Sequence, residues 1–252
     1  MLYPLEPIAT IRSPFREKFA TPRQPGLTPS VTATIEFCPG FATPEALRGL
    51  DGFSHLWLIF LFHHNWQKGW TPTVRPPRLG GNQRVGVYAS RSPFRPNPVG
   101  LSAVKLLNII NEQGNMALEV QGADLIDGTP ILDIKPYIAY GDSIPEANCG
   151  FATEAPGTPL TITFSEQAQR QLKNYRSESP DLETMLTETL ALDPRPAYRR
   201  DKKDDQGYGV LFDRYNVSWK VTDVELIVLD IVPNTPETAT ARLRLKQHDP
   251  ME

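Results

Sequence analysis

The sequence predicts a mainly β protein of two domains: an N-terminal barrel or sandwich over residues 1–145, a linker over 146–159, and a smaller C-terminal α+β domain over 160–246. Three observations carry this. Twenty-five prolines in 252 residues are roughly twice the ordinary ~5%, which argues against a helical bundle. Short β-rich runs between Pro/Gly clusters recur up to about residue 145, as in a small all-β domain. Beyond residue 160 the apolar spacing turns helical and then returns to strand-like runs.

Taken in order, Ile8–Arg12 and Thr32–Phe37 alternate or are rich in β formers. Thr43 suits the cap of a short helix over Pro44–Gly49, with Pro44 at the first helical position and Gly49 as the stop. Leu56–Phe62 (LWLIFLF) reads as a strand buried on both faces. Val85–Ala89, Leu101–Ile110, Met116–Gln121 and Ile131–Ile138 continue the series, and PPRLGGN, RSPFRPNP, NEQGN and LIDGTP between them are turn formers. The small, polar, proline-rich stretch Gly141–Pro159 reads as the linker region. Leu160–Phe164 is β-rich, and Ser165 is placed to cap a helix running to about Tyr175. Ser179-Pro180 opens a second helix, with Leu182, Met185, Leu186 and Leu190 on one face and Asp181 and Glu183 complementing its dipole before Pro194 stops it. Arg199–Asp205 reads as a solvated loop, then Tyr208–Phe212, Tyr215–Val221 and Val224–Val232 as antiparallel strands.

Composition excludes several classes. Apolar residues at 40% and charged residues at 22% describe a globular chain and not a wholly disordered one. The longest apolar run is Leu56–Phe62, whereas a bilayer span needs about 20 residues, so no membrane partner is expected. The start, MLYPLEPIATIRSPF, shows no signal peptide. Cys38 and Cys149 are far apart with no CxxC partner, which suits reduced thiols and a cytoplasmic protein.

The charge pattern is lopsided. From Gly52 to Asn111 there is no Asp or Glu, yet Lys68, Arg75, Arg78, Arg84, Arg91, Arg95 and Lys105 lie there, leaving the rest of the chain 19 cations against 29 acids. Either these cations pair with acids elsewhere in the fold, or they form an anion site for phosphate or nucleic acid.

Four clusters inside or beside this window carry chemistry. RPPRLGGN (Arg75–Asn82) sets two arginines around a rigid corner, followed by glycines that let backbone N–H groups approach a ligand; a plain structural loop is the alternative. It lacks the Gly-Lys-Ser/Thr of a P-loop, and no GxGxxG follows a strand, which argues against a Rossmann nucleotide site. RSPFRPNP (Arg91–Pro98) is a stiff loop presenting Arg91, Arg95 and Asn97 as donors for carboxylate or phosphate, with Phe94 either stacked on a base or buried. Asp124, Asp127 and Asp133 supply the carboxylates the window lacks; Asp124 or Asp127 would accept from a ribose hydroxyl or amino group, or else close an Asx turn. Adjacent His63 and His64 cannot share one side of a strand, so no metal is expected there, and no catalytic triad stands out.

Pro22–Pro25 (PRQP), Val74–Gly81 (VRPPRLGG), Arg91–Gly100 (RSPFRPNPVG), Asp127–Tyr137 (DGTPILDIKPY) and Asp193–Tyr198 (DPRPAY) together resemble the TrmO family (TsaA-like, YaeB-like proteins) over nearly the whole chain, with no departure inside the N-terminal motifs. The resemblance implies a single-β-barrel methyltransferase domain with an appended C-terminal domain. It implies transfer of a methyl group from S-adenosylmethionine to N6 of threonylcarbamoyladenosine at position 37 of tRNA, by a protein that is usually a homodimer. It places the cofactor at Pro22, Arg23, Gln24, His63, His64, Arg91, Leu101 and Asp124, Leu125, Ile126, Asp127, Gly128 and Thr129, with Asp127 the candidate proton acceptor. For the tRNA the donors are Arg75, Arg78, Arg84, Arg95, Asn97, Lys135 and Arg195, the last either returning toward the barrel site or a dimer contact, or serving as a plain interdomain brace. A methyl transfer relies on positioning more than on acid/base groups, which agrees with the missing triad. The competing readings are a non-enzymatic RNA-binding module and a hydrolase using Asp124 and Asp127.

Overall fold

A computed structural model describes residues 3–112, 114–154, 159–195, 206–222 and 225–246. Its strands are β1 (Ala9–Arg12), β2 (Thr32–Phe37), β3 (His55–Leu61), β4 (Thr73–Val74), β5 (Val85–Gly86), β6 (Val99–Glu112), β7 (Asn115–Gln121), β8 (Pro130–Pro136), β9 (Thr161–Phe164), β10 (Gly207–Phe212), β11 (Tyr215–Val221) and β12 (Glu225–Pro233). Its α-helices are α1 (Ala139–Asp142), α2 (Glu166–Tyr175), α3 (Leu182–Ala191) and α4 (Pro236–Lys246). Two compact units result: Met1–Ser13 with Arg23–Pro156, and Pro14–Pro22 with Gly157–Glu252.

The first unit is a closed barrel in the order β1-β2-β7-β6-β3-β8, so mainly β with a barrel is what the chain forms. Closure removes the free edges that an open sheet would expose. Inward side chains alternate along each strand, and Ile11, Ile35, Leu56, Leu58, Val104, Leu118, Val120 and Ile131 fill the interior. Here one expectation is corrected. β3 is not buried on both faces: Leu56, Leu58 and Phe60 point inward, while Trp57 on the outer face meets the ring of Tyr137 at 5.4 Å. A closed barrel has only one inside, and aromatic neighbours cover part of its outside. Across from Phe60, Gly100 leaves the room its ring occupies, since a Cβ there would lie 2.2 Å from it.

The short helix expected at Pro44–Gly49 is a run of turns. Thr43 does cap it, accepting from the Ala46 N–H at 3.2 Å, and Gly49 does stop it with φ 83°, but the stretch is too short to propagate a helix. Val85–Ala89 is strand only at β5, which pairs with β4 to make a two-stranded ribbon whose tip carries Arg75–Arg84. Residues after Gly141 that compose like a linker include the end of α1 and a 3-10 turn, Gly150–Ala152, and the Glu154 carbonyl accepts from the Arg78 guanidinium within the barrel unit.

The second unit is a four-stranded sheet, β10-β11-β12-β9, with β9 parallel to β12 and the other pairs antiparallel. Ser165 caps α2 as its sequence suggests, accepting from the Ala168 N–H at 3.1 Å. Asp181, not Ser179, stands at the cap position of α3, whose Leu182, Leu186 and Leu190 are buried. Trp219 is the largest fully buried side chain. The nine-residue segment Pro14–Pro22, which lies between β1 and β2 in the chain, belongs to this unit: Phe15 bridges Phe212 at the edge strand β10. No sequence pattern announced that excursion, nor α4.

Candidate active site

The barrel unit gathers one polar cluster around the Asp124 loop. β6 brings Ser102 inward, 1% exposed, and its hydroxyl donates to Asp124 Oδ1 at 2.5 Å. Burial pushes the Asp124 carboxyl up to about 6, opposed by the Ser102 hydroxyl and by the positive charge of Arg91. Arg91 in turn donates to Gln24 Oε1 at 2.5 Å. The Gln24 loop is stitched to the same region by the Gly26 N–H on the Gly122 carbonyl at 2.8 Å, and Gly122 (φ 77°) sits two residues before Asp124. Motifs far apart in sequence, PRQP, RSPFRPNPVG and the segment before DGTP, are thus linked through Gln24, Arg91 and Asp124.

Other expected residues fall in different roles. His63 and His64 lie in a 3-10 turn after β3, not in a strand, with ring centres 4.1 Å apart. Burial and the neighbouring His64 lower the His63 pKa, so His63 favours its neutral form. Among the described residues no group of three His, Cys, Asp or Glu is placed to hold a metal ion. Leu101 is 52% exposed on the barrel's outside, and Ile126 is partly buried. Pro22 is buried and ends the segment of the second unit, while Arg23 is exposed.

Five expected residues are engaged within the fold. Leu125 is 2% exposed in the barrel core, so its side chain is closed to a ligand. Thr129 is buried with its hydroxyl on the Ile126 carbonyl at 2.6 Å, and Gly128 (φ 77°) donates its N–H to Ile11 at 2.9 Å, so both build the turn. Asp127 accepts from the Ser13 N–H at 3.0 Å, which ties the end of β1 to this turn; a carboxylate fixed on backbone is poorly placed as the proton acceptor. Arg195 is 4% exposed and gripped fork to fork by Asp193, Nε to Oδ1 and Nη2 to Oδ2 both at 2.9 Å, so it is a buried clamp of the second unit and not a presented cation. The remaining DPRPAY residues, 196–198, lie outside the described chain, as does the 199–205 loop.

The cations of the acid-free window stay uncommitted to carboxylates. None of Lys68, Arg75, Arg78, Arg84, Arg91, Arg95 and Lys105 forms an ion pair among the described residues; those described lie elsewhere. Arg84 donates to the Thr73 hydroxyl at 3.0 Å, bracing the ribbon, and Arg95 to the Ser90 carbonyl at 2.7 Å, bracing its own loop. Arg75 and Asn97 are exposed. Lys135, by contrast, pairs with Asp133 at 2.8 Å on the surface.

Sequence reasoning missed three polar residues. Ser102 left a trace, a hydroxyl at an inward strand position between Gly100 and Val104. The buried Asn65 Nδ2 and Thr28 Oγ1 find no hydrogen-bond partner among the described residues, and nothing in their local sequence marks them. Buried polar atoms left unpaired cost about 1–3 kcal/mol each, which a ligand's complementary groups would recover.

Models of the tRNA-methyltransferase O N-terminal domain and of the TrmO C-terminal domain match residues 10–143 and 157–234. The tRNA (adenine(37)-N6)-methyltransferase of Escherichia coli (strain K12) is 43% identical over 231 residues, covering 92% of this chain and 98% of its own. A protein of Pseudomonas aeruginosa named as an S-adenosylmethionine-dependent methyltransferase is 44% identical, covering 92% and 98%. The crystal structure of TrmO from Pseudomonas aeruginosa matches with a TM-score of 0.76 at 37% identity, covering 92% of this chain and 99% of that one.

Proposed function

The chain belongs to the TrmO family of tRNA methyltransferases, and from that premise we propose that it methylates N6 of threonylcarbamoyladenosine at position 37 of tRNA, with S-adenosylmethionine as the donor. The single observation that carries the reading beyond family membership is the set of seven cations that form no ion pair among the described residues, a surface suited to a polyanion.

The donor-side residues fit the cofactor chemically. Asp124 offers a carboxylate for a ribose hydroxyl or an ammonium group, and Gln24 and Arg91 offer an amide and a guanidinium. S-adenosylmethionine supplies an electrophilic methyl group on a sulfonium sulfur. The chain's own part is to orient the acceptor nitrogen and to hold the counter-charges while water is kept out. Asp124 replaces Asp127 as the candidate proton acceptor, because its value near 6 leaves it ionised yet basic at neutral pH. The window cations would bind the RNA phosphates and the threonyl carboxylate.

We further place the protein in the cytoplasm as a homodimer. No described helix is long and apolar enough to cross a membrane, and Cys38 and Cys149 are free thiols. The segment 138–151 exposes Ile138, Tyr140, Ile144 and Phe151, an apolar surface suited to a second copy. Mass-spectrometric detection of the methylated nucleoside in tRNA incubated with enzyme and S-adenosylmethionine tests the activity. Product from wild type and its loss in Arg91→Ala support it, whereas tRNA binding without product would leave only an RNA-binding module. Light scattering of Tyr140→Ser/Ile144→Ser tests the dimer, with monomers expected.

A further inference from the structure

Between β1 and β2 the chain makes a detour that the barrel itself does not need. It is pinned to the barrel at Ser13, whose N–H rests on Asp127, and again at Gly26, whose N–H rests on Gly122. Twelve residues, 14–25, separate those pins, and nine of them, Pro14–Pro22, fold into the second unit. There the Pro14 carbonyl accepts from the Asp213 N–H at 2.7 Å. The Phe15 ring meets Phe212 edge-on at 5.9 Å, and Phe19 lies nearly parallel to Tyr208 and Trp219 with centres 6.3 and 5.8 Å away. Glu17 pairs with Arg242 of α4. A tight turn follows, in which the Thr21 hydroxyl donates to the Glu17 carbonyl at 2.6 Å and Ala20 sits at φ 67°. A left-handed alanine costs roughly 1 kcal/mol or more, so its surroundings over-determine this turn.

Only Arg23, Gln24 and Pro25 remain between the last residue held by the second unit and the Gly26 pin, and Gln24 is the residue bonded to Arg91. We propose that the second unit orders the donor-side loop through this strap, with Phe19 as a positioning residue for Gln24 and Arg91. The proposal rests on the assignment of Gln24 and Arg91 to the donor site. Its physical basis is loop entropy. Released from Tyr208 and Trp219, the strap is still held at Pro14, Phe15 and Glu17, so its free span grows from three residues to the eight after Glu17, and the probability of holding Gln24 in place falls with about the 3/2 power of that length. The expected loss of donor affinity is roughly fourfold.

Full-length protein and S-adenosylmethionine, titrated calorimetrically, provide the test. Phe19→Ala is expected to raise Kd roughly fourfold, and Phe19→Tyr, which keeps the stacked ring, to restore it. Leu186→Ala, which injures the second unit's core away from the strap, leaves Kd unchanged at temperatures where that unit is folded. Should Phe19→Ala fail to fold, a six-residue Gly/Ser insertion between Pro22 and Arg23 leaves the anchor intact and is expected to weaken binding about fivefold. Amide hydrogen exchange at Arg23 and Gln24 gives a second readout independent of the donor, with faster exchange expected in both strap variants. Unchanged exchange and unchanged Kd in those variants, with Gln24→Ala still impaired, overturn the strap. Unchanged Kd in Gln24→Ala and Arg91→Ala overturns the donor-site assignment instead, while accelerated exchange would still show the ordering.

Discussion

The acid-free window of the barrel unit and the arginines of the second unit treat charge in opposite ways. In the second unit Arg170, Arg195, Arg214 and Arg242 each meet a carboxylate of the same unit: Glu166, Asp193, Glu178 and Glu17. In the barrel unit seven cations between Gly52 and Asn111 meet none among the described residues. A guanidinium neutralised inside its own fold shapes that fold, whereas one left without a counter-charge leaves its field for a ligand. The same residue type therefore reads as architecture in one region and as recognition in the other, and context alone separates them.

Breaking a committed pair gives the largest effect. Asp193→Asn keeps a side chain that tolerates the left-handed backbone there (φ 49°) but removes the carboxylate charge that grips the buried Arg195 fork to fork. It is expected to cost about 3–5 kcal/mol in urea unfolding followed by tryptophan fluorescence. Removing an uncommitted cation should do the reverse. Arg91→Ala is expected to lower methylation about 100-fold while the thermal midpoint moves by no more than ~2 °C. If both substitutions cost stability alike, the division between the units fails.

Asp124 sharpens the contrast further, because its carboxyl titrates near 6, above its ordinary value of 3.8. The folded state holds this proton more tightly than the unfolded chain. The group therefore favours folding at acid pH, and that contribution is lost as pH rises from about 4 through about 6. Donor binding runs the opposite way: affinity for a cationic ligand falls as pH drops below about 6, by up to roughly tenfold per unit. Asp124→Asn is expected to flatten both profiles in thermal-shift and calorimetric titrations across pH 4.5–8. The smallest effect belongs to the exposed pair of α2, where Glu166→Gln should change stability by under ~0.5 kcal/mol.

Much of this was legible beforehand where local chemistry decides the outcome. Ser165 announced α2 because a cap is a short-range hydrogen bond, and the missing acids from Gly52 to Asn111 announced that any partner of those cations must come from elsewhere in the chain, a choice only the fold decides. The donor cluster was only partly legible. The motifs containing Gln24 and Arg91 could be read, but the Ser102 hydroxyl that meets Asp124 comes from another strand, and Asp127 and Asp124 look alike until the Ser13 N–H claims one of them. Arg195 misled for a related reason: prolines flanking an arginine suggest presentation, and only the left-handed turn at Asp193 shows the guanidinium folding back on its neighbour. Likewise LWLIFLF is apolar on both faces, and closure of the sheet, a long-range event, decides which face is inside.

Synthesis from the amino end imposes a wait on the detour between β1 and β2. Phe15 and Phe19 emerge early, yet the rings that receive them, Phe212 and Trp219, follow about two hundred positions later. The cylinder's own seam, where Ala9 lies beside Ile131, becomes available well before that. A nascent chain would thus shut its wall around a dangling aromatic loop that reaches its seat only when translation is nearly finished.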